Sequence, residues 1–339
     1  MSHRHLPTGK LPADLLSRLL GTLPPLGEEV VVGPRPGEDA AALRFGGALL
    51  VATTDPITFA TDEIGWYAVQ VNANDIAVMG ARPRWFQAAV LLPEHQATEE
   101  LAEQIFSQIR EACAQIGAQL VGGHFEITYD LPRPIVVGQM LGEALAEQPI
   151  TSSGAQPGDV LILTKGIALE GTALLAREAG TRLLQAGLDE QLLTRASGLL
   201  HDPGISVMAE ALAAAEAGPP HAMHDPTEGG LATALRELCQ ASSVGATMAL
   251  EAIPVFPETR SLCEALSLDY LGLLASGALL IAAPSENADS ILGRIRQQGI
   301  QATVVGSVTP PEQGLLLRSS DGTMRPLPEF AADEVTRVL

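Results

Sequence analysis

The chain has 339 residues, of which 46% are hydrophobic and 18% charged. That composition supports a substantial core and argues against disorder. Twenty Lys and Arg against 40 Asp and Glu leave a formal net charge of −20, so the surface repels nucleic acid and anionic membranes, and binding of an anionic nucleotide calls for a mediating cation.

The three cysteines, Cys113, Cys239 and Cys263, form no C-x-x-C pair and are odd in number, which argues against a disulfide framework and a structural zinc site. The opening MSHRHLPTGK lacks the apolar core of a signal peptide, and no apolar run reaches the ~18 residues of a membrane span. The cytoplasm is the expected compartment, without membrane or nucleic-acid partners.

In chain order, strands are predicted at 29–33, 41–45 and 48–55. A helix follows over 62–79, then an amphipathic helix over 98–116, where Leu101, Ile105, Ile109, Ala112 and Ile116 share a face and Gly117 is the stop. Further strands are predicted at 118–123 and 134–141. The Pro-, Gly- and Ser-rich stretch AEQPITSSGAQPGD (146–159) reads as a linker. Beyond it come a strand at 160–165, a helix at 171–180, helices at 204–217, 228–241 and 285–298, and strands at 246–251, 277–283 and 302–308. The reading is a mixed α/β chain of two domains, 1–150 and 151–339.

Three carboxylate-bearing stretches stand out in the first half: GEDAA with Glu38 and Asp39, TTDP with Asp55 at a strand end, and NANDIA with Asn72, Asn74 and Asp75. Residues 72 and 75 project from one side of the helix. Burying such groups unpartnered costs roughly 1–3 kcal/mol each, and more when they are charged. If Asp39, Asp55 and Asp75 converge, their mutual repulsion, roughly 4 kcal/mol for a pair about 4 Å apart, is reversed by a hard divalent cation such as Mg²⁺. The alternative reading is structural, with Asp and Asn serving as caps and turn formers.

VGGHFEIT (121–128) has Gly122 and Gly123 ending a strand, followed by His124 and Glu126 on one side of an extended segment. Those two are a base and a ligand, or a loop pair. In the second half, DPTEGG places Asp225, Thr227 and two glycines before a helix, where exposed amides form an anion site or Asp225 or Thr227 caps the helix. His221 and His224 are spaced for a metal, with no obvious third ligand. TKGIALEGTALLA (164–176) faintly resembles a phosphate loop but is not G-x-x-x-x-G-K-[ST]. Lys10, in TGKLP, could contact a phosphate or be a surface charge.

Taken in order, GEDAA, TTD, VNANDIAVMGARP, VGGHFE and DPTEGGLATAL resemble the AIR synthase (PurM-like) superfamily, which includes aminoimidazole ribonucleotide synthetase, the HypE hydrogenase-maturation protein, selenophosphate synthetase and thiamine-monophosphate kinase. The pattern is most similar to HypE-like, AIR synthase-related proteins. The resemblance implies an N-terminal domain that builds a shared β-barrel in a homodimer and a C-terminal α/β domain. It implies ATP between the domains and Mg²⁺ on carboxylates. Asp39, Asp55 and Asp75 would be the metal and phosphate residues. Lys10, Asn72, Gly122, Gly123 and Thr227 would line the nucleotide, and His124, Glu126 and Asp225 would be catalytic. The implied chemistry is ATP-dependent phosphoryl transfer to, or activation of, a small carbonyl- or phosphate-containing substrate.

Two departures qualify that expectation. HypE proper ends in a Pro-Arg-x-Cys tail whose thiol carries the substrate, whereas this chain ends DEVTRVL. Relatives commonly show GGDT where this chain has GGHFE, so His124 replaces a carboxylate. Glu126 takes over as ligand, or His124 acts as a base. The alternative function is a non-catalytic HypE-like maturation or scaffold protein that keeps nucleotide binding and engages a protein partner.

Overall fold

The computed structural model describes residue 11, residues 13–58 and residues 62–339. They divide into two compact units: residues 26–33 with 39–150, and residues 151–339 with 34–38 and the described residues up to Pro25. α1 (Ala13–Leu20) belongs to the latter.

The first unit contains β1 (Val30–Val32), β2 (Ala41–Phe45), β3 (Ala48–Ile57), α2 (Ile64–Val78), β4 (Ala81–Pro93), α3 (Glu99–Ile116), β5 (Gln119–Thr128) and β6 (Ile135–Ala144). Its sheet has the order β1-β2-β3-β6-β4-β5. All neighbours are antiparallel except β4 and β5, which run parallel and are joined by α3, the crossover that parallel pairing demands. The sheet is open in the single chain, with β1 and β5 at its edges.

α2 is buried on nearly every side, only Trp66 and Val71 being partly exposed. It lies against α3 and against β3, β4 and β6. α3 is amphipathic as predicted: Ile105, Ile109, Ala112 and Cys113 are buried. Thr98 caps its start by accepting the Leu101 N–H at 3.2 Å, and Gly117 ends it in a left-handed conformation.

In this unit two strands depart from the sequence expectation. β4 was not foreseen, because Pro83 and a register shift between Pro83 and Trp85 interrupt its opening. Beyond the shift, Phe86, Ala88, Val90 and Leu92 are buried while Gln87, Ala89 and Leu91 are more exposed, the period of two of a half-covered strand. β5 does not stop at Gly122–Gly123. Its pairing with β4 continues from Trp85–Gln119 to Pro93–Thr128, so His124 and Glu126 are strand residues and not loop residues.

The second unit contains β7 (Val160–Thr164), α4 (Leu169–Glu178), α5 (Gly180–Gln185), α6 (Glu190–Gly198), α7 (Met208–Ala217), β8 (Ala222–His224), α8 (Gly230–Ser242), β9 (Gly245–Ala249), α9 (Pro257–Leu266), β10 (Leu280–Ala283), α10 (Ala288–Gln297), β11 (Ala302–Thr309), β12 (Leu315–Arg318) and β13 (Met324–Pro326). Its seven strands are ordered β13-β12-β9-β11-β7-β10-β8. The central strands β7 and β10 carry unbroken apolar runs, buried throughout in β10, as strands covered on both faces require. The whole is mixed α/β. Among the described residues, no helix is long and apolar enough to cross a membrane.

Candidate active site

The polar residues in the middle of α2 are explained by how β3 ends. β2 pairs with β3 only as far as Ala41–Ala52. Three residues further on, Asp55 has no β2 neighbour opposite it. The Asn72 carboxamide takes that place: its Oδ1 accepts the Asp55 N–H at 3.1 Å, and its Nδ2 donates to the Asp55 carbonyl at 3.4 Å and to the Ala68 carbonyl at 2.8 Å. Asn72 is fully buried. Opposite Asp55 on β6 stands Gly138, where a Cβ would lie 2.4 Å from Asn72 Nδ2; glycine makes the room that the clip needs.

One helical turn along, Asp75 is 7% exposed. Its Oδ2 lies 2.7 Å from Thr53 Oγ1, and the same hydroxyl lies 3.2 Å from the carbonyl oxygen of Asp39. The backbones of Asp39 and Asp55 and the carboxylate of Asp75, residues spread over 36 positions, thus meet around two side chains, Thr53 and Asn72. Thr53 lies within TTD but is not among the residues that the motifs single out. Its signal was position: two residues before Asp55, on the same face of a strand.

The glycine and histidine stretch sits elsewhere. Gly123, Ala88, Gly138 and Asp55 form one transverse row across β5, β4, β6 and β3. Three strand spacings separate Gly123 from Asp55, about 14 Å. Phe125 shares the Gly123 face, its ring 6.4 Å from that of Phe106 on α3. By alternation Gly122, His124 and Glu126 lie on the other face, away from α2 and α3. His124 Nε2 is 3.4 Å from Glu126 Oε2, with the two side chains 70% and 58% exposed. The expectation that both project to one side is met, but within one chain neither reaches the Asp55 cluster. Lys10 lies outside the described residues.

In the second unit, Asp225 is buried directly after β8. Neither it nor Thr227 is the side-chain cap of α8. The Thr227 carbonyl accepts the N–H groups of Gly230 (3.1 Å) and Ala275 (3.2 Å). The N–H of Gly229, the cap residue, is donated to Asp333 Oδ2 at 2.6 Å. The anticipated anion site at this helix start is therefore filled by a carboxylate from 104 positions away, a contact no local motif can announce. Burial pushes the Glu170 carboxyl up to about 7; a Ser276 hydrogen bond opposes the rise, and the charges of Asp333, Glu228 and Asp225 add to it.

Two weaker motifs find structural explanations. Lys165, in the phosphate-loop-like stretch, turns inward: its Nζ donates to Glu210 Oε1 (2.9 Å) and to the carbonyls of Gly204 (3.2 Å) and Ser206. His221 and His224 are tied to different carboxylates, His221 Nδ1 at 2.9 Å from Asp159 and His224 Nε2 at 3.1 Å from Glu237. An extended segment sends positions three apart to opposite faces, so helical ligand spacing does not apply. All three cysteines are buried, and burial pushes each thiol up to about 12.

Two family models match the chain: AIR synthase related protein, N-terminal domain, over residues 37–144, and AIR synthase related protein, C-terminal domain, over 156–316. Carbamoyl dehydratase HypE of Rhodobacter capsulatus is 31% identical over 308 residues, covering 88% of this chain and 87% of that protein. The chain belongs to the AIR synthase related family. Selenide, water dikinase of Nitratidesulfovibrio vulgaris is 34% identical over 279 residues, covering 79% of this chain and 72% of that one. A hydrogenase maturation protein HypE, solved in complex with ATP, shares the fold at a TM-score of 0.71 and 23% identity, over 94% of this chain and 91% of its own. The PurM-like fold expected from the motifs is thus present, and the family is one of enzymes, a dehydratase and a dikinase among them.

Proposed function

We propose that this chain is an ATP- and Mg²⁺-dependent enzyme, acting as a cytoplasmic homodimer, that transfers a phosphoryl group to, or so activates, a small carbonyl- or phosphate-containing substrate. One observation carries the reading: Thr53 and Asn72 bring the backbones of Asp39 and Asp55 and the carboxylate of Asp75 together at the end of β3. The donor set is all oxygen, which suits Mg²⁺ and not the softer metals. Those three carboxylates would hold the ion, which in this role neutralises triphosphate charge. Asp225 would serve the substrate and Thr227 the nucleotide. The domain division at 150/151 is part of the proposal, supported by family matches that end at 144 and resume at 156.

The dimer is supported by β5. It ends its sheet and exposes Val121 (50%), Ile127 (65%) and, just beyond, Tyr129 (74%). A long apolar edge strand requires a cover. A second copy there would close the barrel and bring Gly122, Gly123, His124 and Glu126 to the interface.

The buried thiols favour phosphoryl transfer over dehydration carried on a cysteine: none of the three is exposed or ionisable near neutral pH. They equally suit a second reading, a non-catalytic HypE-like maturation or scaffold protein with a protein partner.

Calorimetric titration with a non-hydrolysable ATP analogue tests the proposal. Binding is expected with Mg²⁺, weakened at least tenfold by Asp55→Asn or Asp75→Asn. Absence of binding with and without Mg²⁺ would overturn it. Binding by the wild-type chain without turnover of any candidate acceptor, together with a stoichiometric partner in a pull-down, selects the second reading.

A further inference from the structure

We propose that the second unit contains a site for a monovalent cation and that the chain fills it itself, the ammonium of Lys165 standing where a free potassium or ammonium ion would otherwise bind between Glu210 and the carbonyls of Gly204 and Ser206. Lys165 follows β7, and its side chain is only 4% exposed. A lysine commonly lays its stem along the protein and keeps its charged head in water. This one runs inward. Its Nζ lies 2.9 Å from Glu210 Oε1 and 3.2 Å from the Gly204 carbonyl oxygen, and it donates to the Ser206 carbonyl as well.

The donors make an ion cage. Two are backbone carbonyls of the segment that joins α6 to α7. The third belongs to Glu210, fully buried on α7. Glu210 Oε1 also accepts the Thr164 hydroxyl at 3.2 Å, and that hydroxyl accepts the Leu279 N–H at 2.9 Å, so the carboxylate is fixed from the β7 side. Its other oxygen, Oε2, is buried with no hydrogen-bond partner among the described residues. An ammonium has only three hydrogens, and here they go to three other oxygens. A spherical ion has no such limit and takes Oε2 into its shell. One carboxylate in a buried cage balances one positive charge. The site therefore suits a monovalent ion, whereas Mg²⁺ and Ca²⁺ draw on further carboxylates or water.

The ion so supplied fastens the segment 200–206. Its converging oxygens repel one another unless a cation lies between them. Gly204 passes the contact on. Gly277 packs against it, where a Cβ would lie 3.1 Å from the Gly204 carbonyl oxygen and 3.1 Å from Ile205 Cα. Two residues before Gly277, the Ala275 N–H is donated to the Thr227 carbonyl at 3.2 Å. A covalently attached cation makes this arrangement independent of the ions in solution.

The test is thermal unfolding of the full chain, followed by circular dichroism, in KCl and in tetramethylammonium chloride at equal ionic strength. The wild-type difference between the two salts is the baseline. Lys165→Gly removes the equivalent of n-butylammonium, and glycine adopts the left-handed φ of 53° at this position freely. Its midpoint should lie below that of the wild type in tetramethylammonium. It should rise beyond the baseline by about 3–6 °C in K⁺ at about ten times the dissociation constant, and likewise in n-butylammonium chloride. The double variant Lys165→Gly, Glu210→Gln should show the baseline alone. No rise of Lys165→Gly in either K⁺ or n-butylammonium overturns the proposal, as does an equal rise in the double variant. If Lys165→Gly does not fold in tetramethylammonium, its refolding yield is read instead: recovery in K⁺ or n-butylammonium supports the site, and failure in both overturns it. None of these readouts involves ATP or a substrate.

Discussion

Removal of the Asn72 side chain tests the central structural claim. In Asn72→Ala the Asp55 N–H loses its acceptor at 3.1 Å and the Asp55 carbonyl loses a donor at 3.4 Å. Each buried polar group left unsatisfied costs about 1–3 kcal/mol. Asp55 is only partly buried, so water recovers part of this at the carbonyl, where the lost bond is already long. The N–H then dominates at about 2 kcal/mol, and a small cavity at a fully buried position adds on the order of 1 kcal/mol. The expected loss is about 3 kcal/mol. The assay is urea unfolding followed by tryptophan fluorescence. The chain has two tryptophans, Trp66 and Trp85, on α2 and β4, so the signal reports the first unit alone. Asn72→Asp is expected to be no better, because a carboxylate cannot donate to the Asp55 carbonyl and would be buried beside it. A loss under about 0.5 kcal/mol in Asn72→Ala would show that β3 holds Asp55 without the clip, and the account of α2 would fail.

Three further outcomes follow from the same geometry. Gly138→Ala should cost at least about 1–3 kcal/mol in that assay, since its Cβ meets Asn72 at 2.4 Å; an unchanged unfolding midpoint would mean that the clip has slack. Glu170→Gln should stabilise the second unit at pH 8 by up to about 3 kcal/mol and not at pH 4. The wild-type penalty is absent below the ordinary carboxyl value of 4.5, grows up to about pH 7, and stays constant above it. Thermal unfolding by circular dichroism at the two pH values checks this, and equal shifts would refute it. The three cysteines should resist a thiol-specific reagent at pH 8 in the native chain and all react in denaturant; a fast-reacting native thiol would reopen the thiol-carried chemistry.

Legibility in the sequence tracked the range of the interaction responsible. Asp39, Asp55 and Asp75 stand out in the sequence because each interrupts a strongly apolar element, and an unexplained polar group in such a place has few uses. α3 was readable because its face, cap and stop are all local. β4 was lost to Pro83 and a register shift, which hide a period of two until Phe86. β5 was cut short because Gly122 and Gly123 look like an end, whereas Gly123 is there to let β5 approach β4: a Cβ would lie 2.4 Å from the Ala88 carbonyl. α9 begins with Pro257 after an irregular stretch and gave no periodic lead-in.

The DPTEGG stretch shows why local motifs err in a consistent direction. Two glycines before a helix do present amides that want an anion, and that much was read correctly. The sequence cannot say whose anion satisfies them. Here it is Asp333, brought in by a segment whose apolar residues, Leu327, Phe330 and Val335, pack on the same unit. Asn72 follows the same logic: an amide that looked available to a ligand instead completes a strand edge. At both positions the polar group is satisfied within the chain, and its direct effect is on the placement of a neighbouring backbone, that of Asp55 in one unit and of Gly229 in the other. Substitutions at Asn72 and Asp333 should therefore first alter stability and local order, and alter ligand binding only through them.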